Sequence, residues 1–147
     1  MTISSATFIR DILFFIKNDL ATNVTDPLSS SRDVNSHFVL TAYPQRVAIY
    51  PLITIKVLNY TANRAGMQTT DMDMKMNIEV RVWGRNTKER DELFTSVLRR
   101  LQSIQFTTST GSEVNGLHDF NLNSAVEIDE PDVKSKVIEV RYSFYDL

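Results

Sequence analysis

The sequence predicts a single α+β domain over residues 1–147, in which two main helices pack on one face of a mostly antiparallel β-sheet. Three observations carry this prediction. Residues 71–83 alternate strictly between apolar and polar side chains, which is typical of a long strand with one buried face. Two segments repeat apolar residues at helical spacing, one near the N-terminus and one directly after the long strand. Further β-like runs lie between these helices and after the second one.

The composition excludes several kinds of site. The chain has no cysteine, which removes disulfides, thiolate metal sites and thiol catalysis. Its formal net charge is −2, so there is no general electrostatic reason for it to bind nucleic acid or an anionic membrane. No apolar run reaches the roughly 18 residues that a membrane span needs, and charged residues interrupt the apolar stretch at 8–17. We interpret that stretch as a helix rather than a signal peptide.

Residues 5–20 predict the first helix, with Ser5 as its candidate N-cap. Its apolar stripe consists of Phe8, Ile9, Ile12, Leu13, Ile16 and Leu20. Phe14 and Phe15 widen the apolar arc, which indicates burial against the core, against a neighbouring subunit, or against both. Residues 21–36 are rich in Ser, Thr, Asn and Asp and are predicted to form a loop.

Three short β-like runs follow, at 38–42, 46–50 and 52–59. Pro51 cannot donate to a sheet ladder, so it marks an edge, a bulge or the start of a strand. We expect one long strand from about 51 to 60, followed by a polar turn at 61–70. Together with the alternating strand, this segment predicts an extended β-hairpin whose tip projects.

The long alternating strand is the candidate interface. At roughly 3.3 Å per residue, thirteen residues extend about 43 Å, against a usual strand length of about 17–20 Å. Its far end is therefore either a projecting arm or a crossing over a surface supplied by another subunit. Methionine suits a core and also suits surfaces that repack against a partner, so both interpretations stay open. The candidate interface residues are Met72, Met74, Met76, Ile78, Val80, Phe14 and Phe15.

A tight turn and a second helix follow the long strand. Gly84 and Asn86 end the alternation, and Asn86 with Glu89 resembles a capping box. The apolar stripe of this helix consists of Leu93, Phe94, Val97, Leu98, Leu101 and Ile104.

The last part of the chain predicts a loop at 105–116 and two closing strands. In the first, at 117–128, Phe120, Leu122 and Val126 are expected to face inward. A turn at 129–132 leads to the final strand at 137–145. The tetrapeptide Ile-Glu-Val-Arg occurs at 78–81 and again at 138–141. If the two strands are neighbours, we expect their opposite charges to pair across the sheet and to help set the register.

The residues typical of catalysis or metal binding are sparse and scattered. His37 and His118 lie far apart, and no partner is signalled that would orient either ring. Two acidic groups, Asp71 with Asp73 and Asp129 with Glu130 and Asp132, lack the spacing and glycine of a calcium loop. We interpret them as solvated charges. No catalytic, cofactor-binding or metal-binding residue is predicted, and no cofactor is expected.

Two basic segments have structural interpretations. Residues 84–88 lie between a strand and a helix, where an anion can bind, but they lack the spacing of a P-loop, so helix capping is favoured. The Arg99-Arg100 pair is expected to be solvated or to form a salt bridge with another subunit, because aromatic residues do not alternate with it as in single-stranded nucleic-acid binders.

The order of these elements resembles a known family. RVAIYPLITIKV at 46–57 is followed by a polar loop, MNIEVRVWG at 76–84 and then directly KERDELFTSVLRRLQ at 88–102. In element order and texture, most of residues 46–145 resembles the tail terminator (tail completion) proteins of long-tailed bacterial and archaeal viruses.

This resemblance implies a structural virion protein without enzymatic activity. The subunits would form a homo-oligomeric ring, commonly a hexamer, that caps the tail tube protein, ends tail polymerisation and joins the tail to the head connector or neck proteins. DNA would pass through the lumen without being read. The implied location is the virion, after assembly in the host cytoplasm and without a membrane. The family has no catalytic residues to carry over to this sequence.

Two alternatives stay open. One is another neck, tail-tube or baseplate structural protein. The other is a small α+β module that binds a ligand or a peptide. An enzyme is not expected, because the sequence shows no nucleophile–base set and no metal-ligand spacing.

Overall fold

A computed structural model describes residues 8–28, 37–42, 49–64, 72–103, 118–130 and 134–146. The elements are α1 (Phe8–Asn23), β1 (Val39–Leu40), β2 (Leu52–Arg64), β3 (Met72–Gly84), α2 (Thr87–Ser103), β4 (His118–Asp129) and β5 (Lys134–Asp146). Within these residues, the two helices pack with a five-stranded and mostly antiparallel sheet, which confirms the predicted α+β class.

The long alternating strand lies at the centre of the sheet. The strand order is β1-β2-β3-β5-β4, and only the β1–β2 pair is parallel. The predicted hairpin is confirmed, since β2 and β3 pair from Leu52 opposite Trp83 to Arg64 opposite Met72. On its other side, β3 pairs with β5 over the same length. The polar turn predicted at 61–70 is wrong for residues 61–64, which continue β2 as far as Arg64. The rest of that turn, with the tip that is predicted to project, lies outside the described residues.

The hydrophobic core lies between one face of the sheet and the two helices. The helices contribute Ile12, Phe15, Ile16, Leu20, Leu93, Val97 and Leu101. The three central strands contribute Ile53, Ile55, Met74, Met76, Ile78, Val80, Val82, Ile138, Val140 and Tyr142. Full burial of one large apolar side chain stabilises a fold by about 1.5–3 kcal/mol, so this cluster is the main source of stability. The period-2 and helical patterns of the sequence correspond directly to these buried positions.

Several element boundaries differ from the prediction. The first helix continues to Asn23, beyond its predicted end at residue 20, while Ser5 lies outside the described residues. The predicted run at 38–42 forms only the short strand β1. Of the run at 46–50, the structure describes only 49–50, which are not in a strand. Pro51 directly precedes β2 after a cis peptide bond, which confirms that it marks a strand start.

Strand β4 departs most from its predicted pattern. Its pairing with β5 shifts register between Leu122 and Ser124, so Leu122 lies opposite Val140 while Val126 lies opposite Val137. Val140 and Val137 project from opposite faces of β5, because side chains alternate along a strand. The prediction that Val126 faces inward is therefore wrong. Leu122 lies on the core face but stays partly exposed at the edge of the sheet.

The two Ile-Glu-Val-Arg strands are neighbours, but their charges do not pair as predicted. The antiparallel register places Glu79 opposite Glu139 and Arg81 opposite Val137. Because the two glutamates lie directly opposite each other, two negative charges meet where we expected a glutamate to face an arginine. Glu79 instead lies 3.6 Å from the ammonium group of Lys56 on β2.

Candidate subunit interface

The predicted interface residues of the long strand lie in the core of the subunit itself. Met74, Met76, Ile78 and Val80 are buried beneath the helices. They therefore offer no surface to a neighbour in this fold, and the core interpretation applies to them. The side chain of Met72 lies outside the described residues.

The two predicted interface residues of α1 differ in burial. Phe15 is buried in the core, whereas Phe14 is 38% exposed. The ammonium group of Lys17 lies 5.8 Å from the centre of the Phe14 ring, at a distance typical of cation–π contacts. Of the predicted interface residues with a described side chain, Phe14 keeps an exposed apolar surface.

The edges of the sheet carry apolar surface that the sequence analysis missed. Leu58 and Tyr60 on β2 and Leu122 and Val126 on β4 are all large, apolar and at least 40% exposed. Leu58 sits at a register shift of the β2–β3 ladder, between Val57 and Asn59. A break in alternation is the sequence signal for such a bulge, and Leu58 follows Val57 without an intervening polar residue.

The face of the sheet opposite the helices is polar and cross-linked by amides. Asn77 donates from Nδ2 to Oδ1 of Asn59 at 2.6 Å and accepts at its own Oδ1 from Nδ2 of Asn123 at 3.0 Å. These three residues come from β2, β3 and β4, so the amides bridge most of the sheet. The same face also holds two buried polar atoms, Asp73 Oδ1 and Arg141 Nε, that have no hydrogen-bond partner in the described part of the chain.

A cluster of aromatic and cationic side chains lies at one end of this polar face, where β2 begins and β3 ends. The Arg81 guanidinium lies 3.8 Å from the centre of the Trp83 ring, and the Tyr50 ring stacks at 6.2 Å from the same indole. Arg81 also donates to Ser135 Oγ, at 3.0 Å from Nη2. Trp83 Nε1 donates to Thr54 Oγ1 at 3.3 Å. These contacts tie β2, β3 and β5 together, and they account for Trp83 and Arg81 as structural residues.

The predicted helix cap is confirmed, with one change in its partner. Asn86 Oδ1 accepts from the backbone N–H of Glu89 at 2.9 Å, as a capping residue does. The Glu89 carboxylate accepts from the backbone N–H and the guanidinium of Arg85. This ion pair lowers the pKa of Glu89, mainly through the hydrogen bond from Arg85. A carboxylate of the chain therefore occupies the position at 84–88 where an external anion was considered.

Gly84 is required by the close approach of β3 and α2. A Cβ atom at this position would lie 2.8 Å from the backbone nitrogen of Arg90. The Arg90 side chain is itself buried, and it contacts Asp91 and Glu127 at 3.1 and 3.5 Å. The turn between the strand and the helix is thus closely packed, and ion pairs of Arg90 lie beside it.

The other residues that could take part in catalysis or metal binding do not come together in the described part of the chain. His37 is exposed, and the side chain of His118 lies outside the described residues. No group of three or more His, Asp or Glu residues that could hold a metal ion occurs in the described part of the chain. An open groove of about 430 Å³ lies beside the start of α2, lined among others by Thr25, Lys88 and Glu92. None of the described helices is long and apolar enough to cross a membrane.

The comparisons with known proteins add no assignment. No model of a known protein family matches the sequence, and no curated protein matches it either.

Proposed function

We propose that this chain is a structural subunit of a viral tail that acts as a tail terminator. In this role, copies of the chain form a homo-oligomeric ring, of about six subunits by the resemblance, that caps the tail tube and joins it to the head connector. The subunit works by presenting surfaces to neighbours and carries out no catalysis. DNA passes through the ring without being read.

One observation supports the ring most directly. The outer strands of the sheet are the short β1 and β4, and β1 pairs with β2 only at Ile53 and Thr54. Exposed apolar side chains lie on both sides of the sheet, with Leu58 and Tyr60 on β2 and Leu122 and Val126 on β4. A ring needs contacts on two different sides of each subunit, because every copy meets one neighbour on its left and another on its right. The net charge of −2 also suits a conduit, since a strongly basic lumen would retain DNA through its phosphates.

The module that carries the resemblance is closely packed in the structure. Strand β3 runs into α2 through Arg85 and Asn86 alone, and the Asn86 cap and the Gly84 contact hold that junction. Strand β3 is also paired on both sides.

The test is the molar mass of the purified protein by light scattering, followed by electron microscopy. We expect a mass that is a multiple of 16.8 kDa and closed rings with an open centre. A chain that stays monomeric and does not cap isolated tail tubes would contradict the proposal. A monomer that retains a small molecule or a peptide would favour the binding module instead.

A further inference from the structure

We propose that β4 is a releasable strand, which opens from the sheet while the rest of the subunit stays folded, and that the ion pairs of Glu127 hold it closed. Its opening uncovers the outer edge of β5, the strand beside it. This inference concerns the single subunit and does not depend on the proposed ring.

Strand β4 contributes no buried residue to the core in the described part of the chain. None of its described side chains, at 120–128, is buried, and those from 121 to 127 are all exposed. Strands β2, β3 and β5 each contribute several fully buried side chains instead. A segment with few buried apolar contacts opens locally at a lower free energy than the core does.

The pairing of β4 with β5 is also less regular than that of its neighbours. Its register shifts between His118 and Asn121, and again between Leu122 and Ser124. Each such irregularity interrupts the ladder of hydrogen bonds locally. Strand β3 pairs with β5 from Met72 to Gly84 without a shift. When β4 opens, the strand that leaves is therefore held by a weaker ladder than the strands that stay.

Described side-chain contacts attach β4 near both of its ends and at its middle. The Phe120 ring lies 5.4 Å from the Tyr142 ring, between the ring centres. Asn123 Nδ2 donates to Asn77 Oδ1 at 3.0 Å. The third attachment, at Glu127, is ionic and joins β4 to two other elements.

The Glu127 carboxylate lies between two cations. Its Oε2 is 3.5 Å from Nη2 of Arg90 on α2, and its Oε1 is 3.2 Å from Nζ of Lys136 on β5. Lys136 Nζ also lies 3.9 Å from the centre of the Phe94 ring on α2. The Arg90 side chain is only 3% exposed, and a buried charge is costly to separate from a carboxylate. Opening of β4 removes one such carboxylate from Arg90, so Glu127 opposes the opening.

Hydrogen exchange, followed by mass spectrometry of peptides from the full chain, tests whether β4 opens by itself. We expect the amides of β4 to exchange faster than those of β3 in the natural chain. Low concentrations of urea are expected to accelerate exchange in β3 much more than in β4. Local opening exposes little surface and depends weakly on denaturant, whereas β3 exchanges through global unfolding.

Two substitutions distinguish the open state from the unfolded state. Glu127→Gln removes the ion pairs of β4, and we expect exchange in β4 to become about three- to thirtyfold faster, since one partner is buried and the other is exposed. Arg100→Ala removes the ion pair with Asp19 between the two helices, which stays intact when β4 opens. Arg100→Ala should therefore accelerate exchange in β3 and leave exchange in β4 unchanged.

Glu92→Gln is the matched control for the change of charge. Glu92 pairs with Lys88 at 3.9 Å, both side chains are exposed, and neither lies on β4, so this variant is expected to exchange like the natural chain. Equal acceleration of β3 and β4 by Arg100→Ala, or an equal dependence of both on urea, would show that β4 opens only when the whole subunit unfolds and would overturn the inference. Unchanged exchange of β4 in Glu127→Gln, or the same acceleration in Glu92→Gln, would overturn the role of Glu127.

Discussion

At the scale of single residues, Arg100 is the clearest example of a side chain whose role depends on the fold. Its Nε and Nη2 both donate to the carboxylate of Asp19, with 2.7 Å between Nη2 and Oδ2. The Asp19 side chain is only 7% exposed. The expectation that Arg100 is solvated or bridges to another subunit is therefore wrong, because it ties α2 to α1 within the chain. The hydrogen bond to Asp19 also raises the pKa of Arg100.

This pair gives a prediction with an adjacent control. Arg100→Ala leaves a nearly buried carboxylate without its charged donor, and we expect the free energy of unfolding to fall by about 1–3 kcal/mol. Arg99 is exposed, so Arg99→Ala is expected to change it by less than about 0.5 kcal/mol. Urea denaturation of both variants measures the difference. Equal losses would show that the pair contributes nothing specific.

Tyr142 links the sheet to the last turn of α2 and carries a pH dependence. Its buried hydroxyl donates to the carbonyl of Leu101 at 2.7 Å. Burial, followed by the nearby Asp19 carboxylate, raises the pKa of Tyr142 well above its ordinary value of 10.0. Above that ordinary pKa the unfolded chain releases the proton while the folded chain keeps it. The contribution to stability is thus complete below pH 10.0 and is lost as pH rises towards the folded pKa.

We therefore expect Tyr142→Phe to behave differently at neutral and at alkaline pH. Near neutral pH it loses one hydrogen bond, which costs about 0.5–1.5 kcal/mol. Above pH 10.0 the stability of the natural chain falls more steeply than that of the variant, which has no proton to release. Urea denaturation at a series of pH values measures both slopes. Parallel slopes above pH 10.0 would contradict the assignment.

At the scale of elements, the junction between β3 and α2 is built without spare space. Gly84→Ala places a methyl group against the backbone of Arg90, which cannot move away as a flexible side chain would. We expect a loss of about 1–3 kcal/mol, typical of overpacking. Thr87→Ala is the control, because Thr87 is exposed at the start of the same helix. Thermal unfolding followed by circular dichroism compares the two, and an unchanged melting temperature for Gly84→Ala would refute the close contact.

The helix α2 itself offers a pair of identical substitutions that differ in burial. Leu101 is fully buried in the core, whereas Leu98 is half-buried. Leu101→Ala is expected to lower the free energy of unfolding by about 2–5 kcal/mol, and Leu98→Ala by clearly less. Urea denaturation again gives both values. A larger loss at Leu98 would mean that the helix packs in another rotation about its axis.

The elements that were predicted well from sequence are those with an uninterrupted pattern. Alternation over 71–83 located β3, and helical spacing located α2, because each pattern reflects one continuous buried face. The errors occur where the position of a side chain depends on how its strand pairs with the neighbouring strand. A bulge after Leu122 moved Val126 to the other face, and antiparallel register placed Glu79 against Glu139. Neither a bulge nor a register follows from the periodicity of one strand alone.

The candidate interface was likewise predicted only in the part that follows from the periodicity of the sequence. The apolar pattern identified Met74 to Val80 as one buried face, but the pattern is the same whether the cover is a helix of the same chain or a neighbour. Only the tertiary structure shows that the helices provide this cover. Leu58 and Tyr60 were missed because exposure at an edge depends on which strands lie beside it.

At the scale of the whole molecule, the folding of the subunit and the proposed assembly can be measured separately. A contact between sheet edges stabilises only the associated state, so the melting temperature rises with protein concentration when copies associate. Leu58→Asp removes an exposed apolar side chain from β2 and adds an acid to a strand that has none. We expect this variant to melt at nearly the same temperature as the natural chain at low concentration, since Leu58 lies outside the core. At high concentration it should melt at a lower temperature, because the association is weakened.

Phe14→Asp is the control for this effect, since Phe14 is exposed to a similar degree but lies on α1. Its melting temperature should keep the full dependence on concentration if the copies meet at the sheet edges. Calorimetry over a wide range of concentrations, together with light scattering on the same samples, measures both properties. A concentration dependence that survives Leu58→Asp and disappears with Phe14→Asp would move the contact from the sheet edge to the helix. Loss of stability at low concentration in Leu58→Asp would instead mean that this side chain supports the fold of the single subunit.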